Sequence, residues 1–326
     1  MMWYEDQGIN SDVVLKCKML VRRNIKGFAF PSKMSDAERQ TVLEQVSGKA
    51  EKLGFSNTKD DDKNLSKVPN LIKKQGADGV FKSDDEGLGI IVNQKNHLTV
   101  FGKTMGGNIG KMISEVEKTV VSLEETFDVA YSEKLGFLTS EPQYVGSGIS
   151  IDIIVTIPGI VKSGNLPQIQ KRLNGLEWSI RPLISGNNIK KSGSVYIISN
   201  VVTLGIGEDR LYDRAIQIIN EIIRIEKMCR DAIFKKSKIV VEDQYFRSYG
   251  TLKYCRRIEL TEALEFLSWL RFGTGLVTDE DTGITLSVIN LLTNSLCDEY
   301  LLRPGNKGVI SEARAGFIRK TLEGER

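Results

Sequence analysis

Residues 148–157 read GISIDIIVTI, with Ile149, Ile151, Ile153, Val155 and Ile157 at every second position. Successive side chains of a strand point to opposite faces, so this spacing gathers the apolar groups on one face of a half-buried strand. A sheet with one covered face follows, and amphipathic helices are available to cover it. Ile109, Met112, Ile113, Val116, Val120, Leu123 and Phe127 recur at helical spacing and predict a long helix from about Asn108. Leu211, Ala215, Ile218, Ile222 and Ile225 predict another over Glu208–Phe234. A further helix starts at Ser35, where Glu38 completes a capping box; it runs through Val42, Leu43, Val46, Ala50 and Leu53 and stops at Gly54.

The remaining segments are shorter. Asp12–Leu15 reads as a short strand or loop edge, followed by a basic patch of Lys16, Lys18, Arg22 and Arg23. SVYIISNVVTL reads as a strand and SNTKDDDKNLSK as a polar, charge-rich loop. IIVNQKNHLTVFG, residues 90–102, reads as a strand interrupted by Asn93, Gln94, Lys95, Asn96 and His97, the only histidine. After about Ile239 helical patterns dominate, over Thr261–Phe272, Thr285–Leu302 and Ser311–Leu322. The expected organisation is therefore a mixed α/β domain over 1–240 and a helical module over 241–326. No internal repeat is visible.

Bulk composition removes several function classes. The chain of 326 residues, 40% hydrophobic and 27% charged, is an ordinary globular one that can bury a real core. Its 45 basic and 42 acidic residues leave a formal charge of +3, which gives no electrostatic case for nucleic acid or a membrane surface. The stretch MMWYEDQGINSD lacks the basic and apolar regions of a signal peptide. No window approaches the roughly 18 apolar residues of a membrane span. Cys17, Cys229, Cys255 and Cys297 are scattered without a CxxC pair, which fits a reducing cytoplasm better than a disulfide scaffold and offers no expected metal site.

Short motif fragments carry little. GKT at 102–104 invites a phosphate-loop reading, but the glycine that motif places five residues earlier is His97 here, so the segment reads as a turn. GSG at 146–148 and GIG at 205–207 lack the third glycine of a dinucleotide fingerprint. A lone histidine makes neither a triad nor a metal site.

Taken together, SDVVLKCKMLVRRNIKGFAFP, IIVNQKNHLTV, KLGFLTSEPQYVGSGIS, VYIISNVVTLG and FRSYGTLKYC resemble, in order and spacing, the ATP:guanido phosphotransferases. The likeness is closest to the bacterial protein arginine kinases and covers nearly the whole chain. LSWLRFGTGL and RPGNKGVISEARAGFIRKTL resemble the helical dimerisation domain of those kinases. The resemblance implies an α/β (α+β) fold, a curved antiparallel sheet flanked by helices plus a helical C-terminal module. It also implies ATP, with Mg2+, held by arginines, and a guanidino substrate held by carboxylates. Phosphoryl transfer needs positioning and charge neutralisation more than covalent help. A guanidinium stays protonated in water, so a carboxylate must orient it and help remove its proton.

Against the family's N-E-E-D-H-x-R, this chain has Asn93, Gln94, Lys95, Asn96, His97, Leu98 and Thr99. Every acid is gone, and Lys95 places a positive charge where a guanidinium would approach. The phosphate-binding S-R-x-R-x-x-R-N becomes Cys17, Lys18, Met19, Leu20, Val21, Arg22, Arg23 and Asn24. In L-T-S-C-P-x-N-x-G-T-G-x-R, Glu141 replaces the reactive cysteine and Ser150 the closing arginine, while Pro142, Gly146 and Gly148 keep the loop. Arg181, Pro182 and the SGNN of 185–188 stand for the R-G-x-x-G-E loop, with the alignment slipping there and no glutamate nearby. The R-D-x-x-R-A motif associated with phosphoarginine recognition becomes Ile310, Ser311, Glu312, Ala313, Arg314 and Ala315.

The resemblance thus gives Gln94, Lys95 and Glu141 as degenerate catalytic positions, and Lys18, Arg23, His97, Ser150 and Arg181 as nucleotide-site positions. Loss of so many charged groups argues against ATP and Mg2+ turnover. The expected function is a catalytically inactive, protein arginine kinase-like protein that binds or regulates a partner, as a homo- or heterodimer with an active arginine kinase or an adaptor. The alternative is an active protein-arginine phosphotransferase with rewired residues, drawing on Glu141, Asp152, Glu177 or the Lys190–Lys191 pair. A basic cluster of Lys18, Arg23, His97 and Arg181 that holds a phosphate without transferring it lies between the two.

Overall fold

The computed structural model describes residues 8–57, 76–184, 194–277, 282–302 and 307–324. Most of the polar loop after Ser56, the SGNN segment and the Lys190–Lys191 pair lie outside them. The architecture is mixed α/β, an antiparallel open sheet with helices. Its strands are β1 (Val14–Arg23), β2 (Ser56–Asn57), β3 (Gly79–Lys82), β4 (Leu88–Val92), β5 (Leu98–Met105), β8 (Ile149–Thr156), β9 (Trp178–Pro182) and β10 (Val195–Asn200). They lie in the order β2-β3-β4-β5-β1-β8-β10-β9. A separate two-stranded piece pairs β6 (Tyr131–Ser132) with β7 (Gly136–Phe137).

One face carries the larger core. Cys17, Met19 and Val21 of β1 and Ile149, Ile151, Ile153 and Val155 of β8 are all buried there. The apolar stripes of α2 (Ile109–Glu124) and α5 (Glu208–Lys236) cover them. The alternation in GISIDIIVTI therefore has the meaning its period gives it. Helix α1 (Asp36–Lys52) starts on the Ser35–Glu38 capping box and buries Val42, Val46 and Ala50.

Among the described residues, helices cover the other face at one end. Leu15, Ile154, Val195 and Ile197 pack with Leu252 of α6 (Lys238–Tyr254), Leu264, Leu267 and Leu270 of α7 (Leu260–Gly273), and Leu292 and Leu296 of α8 (Leu286–Leu302). Helix α9 (Lys307–Leu322) adds Ile318. β8 is thus buried on both faces in its second half, which alternation alone does not reveal, because the second cover comes from residues a hundred positions further on. Helix α6, absent from the expected helices, is nearly featureless as an amphipathic pattern, with Val241, Tyr245 and Leu252 its only large buried apolar groups.

Several expectations change. The strand foreseen at Asp12–Leu15 continues to Arg23, so the basic patch lies on a strand, where it alternates with core residues. The interrupted strand is a β-hairpin: Val92 pairs with Leu98, and the Asn93 N–H donates to the His97 carbonyl at 3.0 Å. GKT is not a turn; Gly102, Lys103 and Thr104 pair with Met19, Lys18 and Cys17 in the middle of the sheet. Finally, β10 ends at Asn200 rather than running on through VVTL. The Asn200 side chain accepts from the Ile151 N–H and donates to the Ile149 carbonyl, so it replaces the backbone ladder and ends the pairing.

Candidate functional site

The strip of the second face left uncovered by the helical module holds the residues singled out by the motifs. It is built around the 93–97 hairpin. Asn93 adopts a left-handed backbone at φ +52°, which asparagine tolerates better than most residues. Its amide donates to the Arg39 carbonyl and to Asp78, tying the turn to α1. Asn96 Oδ1 accepts from Asn24 Nδ2 at 2.9 Å and from the Ser140 N–H at 2.8 Å. One side chain thereby fixes the end of β1 and the 138–141 loop against the hairpin.

His97 is fully buried in the same junction. Its Nδ1 accepts from the Ile25 N–H at 2.9 Å, so the proton sits on Nε2, which faces the Ala29 carbonyl at 2.8 Å. Burial lowers its pKa, against an upward pull from the Ala29 carbonyl, and the nearby Arg39 charge adds to the lowering. As placed, neither ring nitrogen is open to a phosphate; the histidine braces the hairpin to residues 25–29.

Arg23 is engaged in the same way. It is 3% exposed and lies over the Phe137 ring at 3.4 Å. Its donors reach Glu124, Glu208 at 2.7 Å, the Ser147 carbonyl at 2.9 Å and the Arg22 carbonyl at 3.0 Å. Four protein acceptors consume a guanidinium with five N–H groups, which leaves little for a nucleotide. In this structure Arg23 and His97, both expected as nucleotide-site positions, spend their polar atoms on the protein itself. The adjoining loop explains its glycines: Gly146 and Gly148 have φ of +117° and +71°, and a Cβ on Gly148 would lie 2.6 Å from the Arg22 carbonyl oxygen.

Across the hairpin the charges close on one another. Lys95 Nζ, on a side chain 68% exposed, lies 2.7 Å from Glu141 Oε1. Arg22 Nε lies 3.5 Å from Glu141 Oε2, and its guanidinium stacks at 3.6 Å on the Tyr144 ring. Arg22 also donates to Ser150 Oγ at 3.1 Å. Glu141 thus stands between two cations supplied by the chain itself. Gln94, next to Lys95 in the hairpin, is half-buried.

Toward the other end of β1 the same face is lysine-rich. Lys18 is the cross-strand partner of Lys103 on β5 and of Asp152 on β8. Asp152 accepts from Ser199 Oγ at 2.6 Å. Burial lowers the Lys18 pKa; Asp152 opposes this, and the charges of Arg22 and Lys16 add to it. Lys103 is pushed down to about 8, first by burial and then by Lys82 and Lys18, with Glu86 opposing and Lys16 adding. Arg181 is exposed on β9, opposite Ile197. In the helical region Arg314 donates to the Ile258 carbonyl from a largely buried position.

The structure therefore gathers Lys95, Glu141 and Ser150 around Arg22, keeps Gln94 in the adjoining hairpin, sets Lys18 further along β1, and leaves Arg181 on the outermost strand. Arg22, Tyr144, Lys16 and Lys103 were missed as site residues. Their signal was available: a lysine at alternate positions to Cys17 and Met19 points away from the core. Glu177, one candidate for rewiring, pairs with Arg214 at the surface. Among the described residues no group of three or more His, Cys, Asp or Glu side chains could hold a metal ion. The donor set near Glu141 is cationic, so it does not fit Mg2+. No described helix is long and apolar enough to cross a membrane.

Comparison with known proteins follows this geometry. Residues 28–229 match the family described as ATP:guanido phosphotransferase, C-terminal catalytic domain. Residues 238–325 match the protein-arginine kinase McsB C-terminal domain. A protein-arginine kinase of Clostridium acetobutylicum is 29% identical over 341 residues, covering 98% of this chain and 99% of that one. One from Bacillus velezensis is 27% identical, covering 98% and 93%. Among solved structures, a lombricine kinase superposes with a TM-score of 0.59 at 17% identity over 69% of each chain. The duplicated taurocyamine kinase of Schistosoma mansoni gives 0.57 at 19% identity, over 68% of this chain and 33% of that one.

Proposed function

Since this chain belongs to the ATP:guanido phosphotransferase family, we propose that it is a non-catalytic, protein-arginine-kinase-like member that acts in the cytoplasm by pairing with a partner. The observation that carries this reading is the closure of Lys95 and Arg22 on Glu141. A substrate guanidinium is a permanent cation and needs a free carboxylate to orient it and take its proton. Here the acid beside the hairpin is already neutralised, and Lys95 repels a second cation. Each missing charge-stabilising group costs about 3 kcal/mol of barrier. Even two, allowing that such effects do not add, slow the reaction by roughly four powers of ten.

What remains is a scaffold held together with care. Asn93, Asn96, His97 and Arg23 all serve as internal braces, through the Asn93 amide nitrogen, the Asn96 amide oxygen, the imidazole and the guanidinium, so selection on the fold accounts for them without catalysis. We assign the partner-binding role to the unit of a kinase-like region, 1–240, and a helical module, 241–326, in a dimer with a second copy, an active arginine kinase or an adaptor.

The test is transfer of radiolabelled phosphate from ATP to an arginine-rich protein, together with a co-expression pull-down against arginine kinase homologues and adaptors. The expected result is no label above a protein-free blank and a stable complex. Robust labelling that Glu141→Ala abolishes establishes instead an active enzyme that uses Glu141 in place of the lost acids. Absence of any complex in the pull-down refutes the partner role.

A further inference from the structure

Helix α6 lacks an amphipathic pattern because it is apolar on two opposite sides. At about 100° per residue, Val241, Tyr245 and Leu252 fall on one side and are buried, with α7 and α9 packed against the helix. Ile239, Phe246 and Tyr254 fall on the other side and are 80%, 38% and 70% exposed. At about 1.5 Å per residue they form a stripe roughly 22 Å long. Asp243 and Arg247 lie in the same stripe and pair with each other at 2.8 Å. Gly250 stands between Phe246 and Tyr254. Its backbone is ordinary helix, and a Cβ there would meet nothing within 4 Å. Among the described residues, therefore, neither conformation nor packing asks for glycine, although glycine weakens a helix interior relative to alanine. The missing side chain leaves a notch on an exposed helix face, a shape that admits a side chain from outside.

We propose that this face of α6 docks an acidic amphipathic helix of a partner protein, whose apolar stripe meets Ile239, Phe246 and Tyr254 and seats one side chain over Gly250. It rests on the partner-binding reading above and names the surface for it. Apolar anchors repeating at helical spacing are what a partner helix engages. Charge selects the occupant. Residues 235–257 hold seven basic side chains and two acidic ones, against 45 and 42 in the whole chain. Lys235, Lys236 and Lys238 stand at one end of the stripe, and Lys253, Arg256 and Arg257 at the other. Glu242 pairs with Lys238 at 3.7 Å, Glu312 of α9 pairs with Arg257 at 3.7 Å, and Glu323 acts on Lys253, so the excess is offset in part. The Arg257 and Glu312 side chains are 66% and 65% exposed, and such pairs exchange readily for a partner's carboxylates. A second copy pairing through this stripe would bring basic end against basic end, whether the two helices ran parallel or antiparallel. A lipid surface fits less well, because the Asp243–Arg247 pair would enter the acyl boundary along with the stripe.

The experiment selects binders of the full chain from a phage-displayed library of amphipathic helical peptides, with flanking positions randomised among glutamate, glutamine and lysine. The expected result is enrichment of glutamate at the flanks. The recovered peptides should lose about tenfold or more in affinity against Gly250→Leu and against Phe246→Glu. Gly250→Leu should also raise the thermal midpoint of the chain alone, since leucine is the better helix former, so its loss of binding is not a loss of fold. No enrichment, flanks of glutamine or lysine, or affinity unchanged in either variant overturns the proposal. Concentration-dependent dimerisation in sedimentation velocity that Phe246→Glu abolishes gives the face to a second copy and overturns it too. So does flotation with phosphatidylserine–phosphatidylcholine vesicles that Phe246→Glu abolishes, which gives the face to a membrane. Repeating the co-expression pull-down with Gly250→Leu separates this inference from the reading beneath it. A complex lost in that variant supports the α6 face, and a complex that survives overturns it while the partner role stands. Absence of a complex with the unaltered chain refutes the partner role, and the peptide selection then decides the face on its own.

Discussion

Replacing Arg23 with methionine separates a brace from a ligand contact. The guanidinium is 3% exposed and holds two carboxylates and two backbone carbonyls at once. Glu124 and Glu208 are 28% and 32% exposed, so each recovers water when the arginine is lost. Their share is accordingly discounted toward the surface value of about 0–1 kcal/mol. The carbonyls of Ser147 and Arg22 lie in a buried loop and strand end, and an orphaned buried acceptor costs roughly 1–3 kcal/mol. Arg23→Met should therefore cost about 3 kcal/mol in all, while Glu124→Gln should cost less than about 1 kcal/mol. Arg23→Lys keeps the charge but not the fork and should fall between them. Urea unfolding at neutral pH, followed by fluorescence and circular dichroism together, reads the shift in midpoint. The reasoning fails if Arg23→Met moves the midpoint by less than Glu124→Gln does. It fails more instructively if Arg23→Met leaves stability intact and abolishes a phosphate-dependent thermal shift, since the arginine would then face a ligand.

Other outcomes follow from the same geometry. Because the folded state holds its only histidine neutral, with a pKa below the ordinary 6.5 or so, the unfolded chain binds the extra proton first as pH falls. The stability due to His97 is full above that value and declines below it, by up to about 1.4 kcal/mol per pH unit. His97→Gln should flatten the stability profile as pH falls below about 6.5, and an unchanged slope refutes the brace. Glu208, whose pKa burial raises despite Arg23, works with the opposite sign: it favours the fold at low pH and loses that contribution as pH rises through its folded value. Glu208→Gln should therefore steepen the net decline toward acid, checked on the same curves. Lys95→Ala removes an ion pair whose lysine is largely exposed, so its midpoint should move by less than about 1 kcal/mol; a larger loss means the pair holds the hairpin shut. Of the four cysteines, Cys17, Cys229 and Cys297 are buried, and burial raises the Cys17 thiol pKa. A thiol-specific reagent should label only Cys255 in the native protein, slowly, and all four in denaturant; rapid native labelling of Cys17 contradicts the sheet packing.

The sequence by itself determined the elements whose signals are local. Alternation in GISIDIIVTI, the stripes of α2 and α5 and the Ser35–Glu38 box all encode their own conformations, because period and capping depend on neighbours a few residues away. It also displayed the missing acids and arginines, since a charge is present in the chain or it is not. Tertiary structure alone decided what the remaining polar groups do. The stretch NQKNH closes a hairpin because Val92 finds Leu98, and GKT is a strand because β1 lies alongside it. Arg23 and His97 were read as ligand contacts from their motif positions, yet their acceptors come from residues as far away as Ser147 and Glu208, which only the folded chain brings to them. Glu141 meets Lys95, and Lys18 meets Lys103, for the same reason. Electrostatic pairing depends on distance in space, and for partners so far apart in the chain sheet register sets that distance.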